Sequence, residues 1–212
     1  MAGTRRKPKT GERESLSDLL AQIRACRFCV ETPTGAALPH APRPVLQVSS
    51  TARLAIFSQA PGARVHQSGR PFTDPSGERL RDWLGIGPEI FYDETKVAIA
   101  PMGFCFPGYD DKGSDRPPRK ECAPLWRTRL IAAMPQVETA VLVGSYAQNW
   151  HLRGRTAKTM TDTVAGWRDH APAFFVIPHP SWRNNAWIRK HPWFEAELLP
   201  ALKNAVAAAL DG

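Results

Sequence analysis

A chain of 212 residues with 42% hydrophobic side chains is long enough for one α/β domain with a substantial core, and that composition excludes both a membrane-embedded and a fully disordered protein. No apolar run approaches the roughly 20 residues that span a bilayer, and the basic N-terminal stretch lacks the apolar centre of a signal peptide, so the expected location is the cytoplasm. Lys and Arg number 28 against 20 Asp and Glu, and the resulting formal charge of +8 favours a polyanionic partner.

Residues 1–13 are charged and carry Gly and Pro, and are expected to form a disordered basic tail ahead of a single domain over 14–212. Ser15 is placed to cap a helix running to about Cys26, with Leu16, Leu19, Leu20 and Ile23 at helical spacing. A Pro-rich loop follows. ARLAIFS (52–58) reads as a buried strand that ends at SQAPG, and a long loop through GRPFTDPSG leads to a helix capped by Ser76. VAIAP (97–101) is a second strand, followed by the long loop MGFCFPGYDDKGSDRPPRK and a helix that opens near Cys122. TAVLVGS (139–145) is a third strand leading into a helix at YAQNWHL, and PAFFVIPHP (172–180) is a fourth. An amphipathic helix closes the chain from about Trp193 to Leu210. Four short apolar strands separated by helices imply an α/β fold: a four-stranded parallel sheet sandwiched between helices in three layers. Ligands of such sheets bind beyond the carboxyl ends of the strands. The loops SQAPG, PMGFC and HPSWRN should therefore converge on one rim.

The chain has four cysteines, a C-x-x-C pair (Cys26, Cys29) and two distant single residues, Cys105 and Cys122. Two C-x-x-C knuckles would be the usual zinc ribbon, and that pattern is not present. Four thiolates from separated segments suit a four-iron, four-sulfur (4Fe-4S) cluster; zinc and a set of reduced buried cysteines stay open on spacing alone, while disulfides conflict with a cytoplasmic location.

On the rim, Gln59, Ala60, Pro61 and Gly62 form a tight turn whose backbone N–H groups suit a flat polar ligand or an anion. Phe72, framed by Gly and Pro, is either a core ring or a platform for a nucleobase. His179 can donate a hydrogen bond to a carbonyl or steady developing negative charge. Ser181 can contact phosphate, Trp182 can act as a wedge and Arg183 can meet the backbone of a nucleic acid. Basic and aromatic residues also interleave at Trp187, Arg189, Lys190, His191 and Trp193, as on a DNA-binding face or an ordinary solvated loop.

Together these segments resemble the iron–sulfur branch of the uracil-DNA glycosylase superfamily. The resemblance runs from Leu16 to about Leu210: an early helix ending in C-x-x-C, the first motif SQAPGARVHQSGRPFTDPSG, Cys105 after the second strand, Cys122 at the following helix, LVGSYAQ at the third strand, and HPS at His179–Ser181. It implies a monofunctional, monomeric glycosylase that flips a damaged nucleotide out of DNA and hydrolyses its N-glycosidic bond, with a structural 4Fe-4S cluster on Cys26, Cys29, Cys105 and Cys122. It also implies that the Gln59–Gly62 turn lines the base pocket, Phe72 stacks on the base, His179 stabilises the leaving anion, and Ser181 and Trp182 meet the DNA.

The chain stands between the thermophilic family 4 type and the family 5 type. Gln59 occupies the position of an acidic residue in the thermophilic branch, and Pro101 that of its base-reading Asn. Asp74, in PFTD, is the nearest match to the water-orienting Asp of the more permissive branch, with His66 as second candidate; Asp74 also suits a helix cap. The missing acid at Gln59 leaves a second reading, a glycosylase-fold protein that binds damaged or single-stranded DNA without turnover.

Overall fold

A computed structural model describes residues 14–211; the expected disordered tail, 1–13, lies outside the described residues. Among the described residues ten α-helices and four strands follow one another. The helix α1 (Leu16–Arg24) and the single turn α2 (Phe28–Glu31) precede β1 (Leu54–Phe57). Next come α3 (Ala63–Ser68), α4 (Pro75–Leu84), α5 (Pro88–Phe91), β2 (Val97–Ile99) and α6 (Cys122–Ala132). They are followed by β3 (Thr139–Val143), α7 (Ser145–Leu152), α8 (Met160–Ala165), β4 (Phe174–Ile177), α9 (Asn185–Lys190) and α10 (Leu199–Asp211). A π-helical turn over Phe194–Leu198 feeds directly into α10.

All strand pairs are parallel, in the order β2-β1-β3-β4. The strands are uninterrupted apolar runs because both faces of the sheet are covered: every residue of β1, β2 and β3 is buried. The chain moves from β1 outward to β2, then crosses back over β1 to β3. Right-handed crossovers therefore place α4 on one face and α6 and α7 on the other. The packing agrees. Arg127 of α6 and His151 of α7 both meet the ring of Phe57, with His151 stacked on it at 4.2 Å between centroids. On the other face α10 packs against α4, and Trp83 meets Phe194 edge-on at 5.0 Å. The outer edge of β2 is sealed by the segment at Gln47, which exchanges backbone hydrogen bonds with Ile99 at 2.9 and 2.6 Å.

The parallel-sheet expectation is met, and differences lie at element ends. Ser15 caps α1 as expected, its hydroxyl accepting from the Asp18 N–H at 3.1 Å. Ser76 does not cap α4. Asp74 does so two residues earlier, with Pro75 at the first helical position, where its missing N–H costs nothing. The stretch ARVHQS, read as loop, forms α3; a helix this short has only Val65 to bury and offers no periodicity to detect.

Arg127 is the largest fully buried side chain and it ties two layers together. Its guanidinium donates to the carbonyls of Ala100, at 2.9 Å, and Pro101, holding the exit of β2 against α6. Replacing it leaves two buried carbonyls without donors. Arg127→Met is expected to lower the free energy of unfolding by about 2–5 kcal/mol in denaturant titrations; a midpoint indistinguishable from the parent protein would show that the contact is not structural.

Candidate functional site

The chain runs outward from β1 to β2 and then returns to β3 on the other side of β1, and this switch in strand order opens a crevice beyond the carboxyl ends of β1 and β3, the place where doubly wound sheets bind ligands. A cleft of about 710 Å³ occupies it. The turn after β1 is held open by backbone bonds that continue the sheet: Met102 N–H donates to Ser58 O at 2.8 Å and Gly103 N–H to Gln59 O at 2.9 Å. Gln59, Ala60, Pro61 and Gly62 all line the cleft, as does Pro101 opposite them. The Gln59 side chain lies across Gly144 at the end of β3; a Cβ at Gly144, whose φ is +81°, would fall 2.6 Å from Gln59 Nε2.

Phe72 adopts a left-handed φ of 53°, unusual for an aromatic residue. Tyr92 Oη donates to its carbonyl at 3.0 Å, and its ring meets Phe91 edge-on at 6.0 Å. The ring is thus packed into the core at one edge, as the core reading expects, and the residue also lines the cleft. Gly77 is required beneath it, because a Cβ there would overlap the Phe72 carbonyl.

Asp74 both caps α4, with Oδ1 accepting from Gly77 N–H at 3.2 Å, and lines the cleft. His179 faces the same space. Burial pushes its imidazole below the ordinary histidine pKa and the Asp74 charge only partly opposes this, so the ring is neutral at neutral pH. Its carbonyl accepts from Asn184 Nδ2 at 2.7 Å. Ser181 caps the following short turn, and Arg79 of α4 donates to the Ser181 carbonyl at 3.3 Å and to Asn185 Oδ1 at 2.7 Å. The HPS loop is thereby fixed to the helix that carries Asp74. Trp182 is 73% exposed at this lip, the most exposed large apolar side chain among the described residues, and Arg183 adjoins it.

Two sequence readings land elsewhere. His66 does not line the cleft: its ring lies 4.3 Å from His40 and near Phe106, with burial and then the charges of His40 and Arg43 lowering its pKa. The Trp187 indole is tied to Thr161 Oγ1 at 2.8 Å and stacked on His191, a packing role. Conversely, Arg64, Asp115, Arg116 and Tyr146 line the cleft and were not singled out from sequence. Tyr146 lies within LVGSYAQ, just past the end of the third strand, so a search centred on the exit of that strand would have found it. The other three lie on segments whose proximity comes only from the fold.

Cys26, Cys29, Cys105 and Cys122 line one pocket, with Arg119 beside them. Glu121 staples its walls, accepting from Thr34 N–H at 3.0 Å, Thr34 Oγ1 at 2.7 Å and Arg119 at 3.0 Å. Burial raises the carboxyl pKa, but these hydrogen bonds and the Arg119 charge outweigh it and hold Glu121 at about 2. Burial pushes the Cys105 and Cys122 thiols up to about 12, so neither is a thiolate by itself at neutral pH. Among the described residues no three metal-binding side chains are grouped tightly enough for a single ion.

The sequence model of the uracil DNA glycosylase superfamily matches residues 46–203. The chain belongs to the uracil DNA glycosylase superfamily. The match contains all of the cleft lining except Val45, together with Cys105 and Cys122, and begins after Cys26 and Cys29. Membership implies a DNA glycosylase of hydrolase type. No described helix is long and apolar enough to cross a membrane. In this glycosylase the left-handed backbone at Phe72 depends on a bare Cα at position 77. Gly77→Ala is expected to destabilise the protein by about 1–3 kcal/mol, seen as a lowered Tm, with loss of whatever affinity the cleft has for DNA; an unshifted Tm would contradict the clamp.

Proposed function

We propose that the protein removes uracil or a related deaminated base from DNA by flipping the nucleotide into the cleft and hydrolysing its N-glycosidic bond, and that it belongs to the iron–sulfur branch of its superfamily. The observation that carries this reading is the presence of His179, Asp74, Phe72 and the Gln59–Gly62 turn on one cleft, with Trp182 exposed at its lip. Extrusion is needed because the bond is inaccessible inside the stack. Trp182 wedges the gap while the exposed Arg64, Arg116 and Arg183 meet phosphates. Phe72 stacks on the extruded base. As the bond breaks, the base gathers negative charge and the sugar positive charge. Neutral His179 donates to the base carbonyl, and as a hydrogen-bond donor that needs no deprotonation it stabilises the anion. Asp74 keeps Oδ2 free of its capping bond; that oxygen orients the attacking water and its charge favours the sugar cation. Pro101 offers no donor to read the base edge, so several deaminated bases are accepted.

Cys26, Cys29, Cys105 and Cys122 would hold a 4Fe-4S cluster. Four cysteines around one pocket, not grouped for a single ion, fit a ligand wider than one metal, and Phe104 N–H already donates to Cys122 Sγ at 3.4 Å. When bound, the cluster supplies the positive charge that keeps the thiols ionised and links α1, the β2 exit and α6.

On oligonucleotides carrying uracil, hypoxanthine, xanthine or mismatched thymine, excess protein is expected to leave alkali-labile abasic sites with at least one of them; binding without any such site would favour the non-catalytic reading. His179→Asn should lower the single-turnover rate about 10²–10³-fold. Because the imidazole stays neutral below the ordinary histidine pKa, its contribution should persist as pH falls through the mid-sixes, about 6.5, rather than vanish there. For the cluster, a brown protein with iron and broad visible absorption, both lost in Cys105→Ala, is the expected result; a colourless protein containing zinc would replace it.

A further inference from the structure

Asp115 sits on the loop between Cys105 and Cys122 and has no part in the chemistry above. The fold carries it over the β1 motif: its Oδ2 stands 3.3 Å from where a Cβ on Gly62 would be. It lines the same cleft as Asp74 and His179. Its carboxylate makes no side-chain hydrogen bond and no ion pair among the described residues, whereas one oxygen of Asp74 is committed to Gly77 N–H. A carboxylate that points across a catalytic turn with both oxygens free is equipped to receive a proton.

We propose that Asp115 is the general base of the hydrolysis, supplying from the β2 loop the carboxylate that the β1 motif lacks at Gln59. The assignment rests on the glycosylase reading. Water oxygen bonds to C1′ of the deoxyribose as the C1′–N bond breaks. The bonding pair leaves with the base as an anion held by His179, one water proton passes to Asp115, and the other remains on the new C1′ hydroxyl. The base anion then takes up a proton, which returns Asp115 to its starting state if Asp115 provides it. Asp74 and Asp115 thus divide the work: one holds the water, the other accepts its proton.

Charge around Asp115 is consistent with this. The other ionisable groups facing the cleft are Arg64 on α3, Asp74 at the N-cap of α4 and Arg79 within it, Arg116 on its own loop, Tyr146 on α7, and His179 and Arg183 after β4. Burial raises the Asp115 pKa, the Arg183 charge lowers it and the Asp74 charge raises it, for a net upward shift. A carboxylate base whose pKa is raised is nearer the operating pH and accepts a proton more effectively. The rate should accordingly climb with pH as Asp115 ionises.

Single-turnover rates across the acid and neutral range, with affinity for an uncleaved substrate analogue measured in parallel, test the assignment. Asp115→Asn is expected to cut the rate about 10²–10⁴-fold and flatten the acid limb, with affinity little changed. Asp115→Glu should recover part of the rate, and Asp111→Asn, a charge removed from the same loop away from the cleft, should leave it intact. An active parent protein whose Asp115→Asn variant keeps its rate and acid limb overturns the assignment alone. So does a variant that loses affinity and not rate, which would make Asp115 a tether for Arg183. A parent protein that cleaves no deaminated base overturns the glycosylase reading, and this assignment with it.

Discussion

Two backbone hydrogen bonds beyond the ends of the strands, Met102 N–H to Ser58 O and Gly103 N–H to Gln59 O, hold the rim on which everything else is mounted. They extend the β1–β2 ladder past regular structure and fix the Gln59–Gly62 turn relative to Pro101. Arg127 secures the same segment from behind, through the carbonyls of Ala100 and Pro101. A turn anchored from two directions offers its N–H groups without reorganisation, and that is what a site stabilising developing charge requires. The cysteine pocket shares this anchor: Gly103 and Phe104, which follow at once, form part of its wall.

The charges divide by depth. Asp74 and His179 are half-buried, while Arg64, Arg116 and Arg183 are exposed. Long-range attraction for a polyanion therefore resides outside, where Asp115 is also exposed, while Asp74 and His179 sit where water is scarcer and electrostatic interactions are stronger. Arg79 couples the two tiers, since one guanidinium holds both the Ser181 carbonyl and Asn185 to the helix that begins at Asp74.

The sheet was legible because its strands are buried on both faces and read as plain apolar runs, as in TAVLV and LAIF. The rim followed from topology: parallel strands send their exit loops to one side. What escaped was contact between segments distant in sequence. Asp115 looks like one more loop acid in YDDKGSD until the fold lays it over Gly62. His66 was a second catalytic candidate because it lies within the first motif. The helical turn α3 buries Val65, and the next side chain, about 100° further round, meets His40 instead. Asp74 was open to two readings, a helix cap or a water-orienting group; the fold shows the cap and also sets the residue on the cleft.

The left-handed backbone at Phe72 sets a limit on how this protein can be improved. Glycine would relieve that conformation, worth about 1–2 kcal/mol, but it would also empty a buried site packed against Phe91, at a cost of about 3–5 kcal/mol. The strained backbone is thus kept in place by the burial of its own ring. Variants chosen for thermal endurance would keep the aromatic residue and the left-handed conformation together.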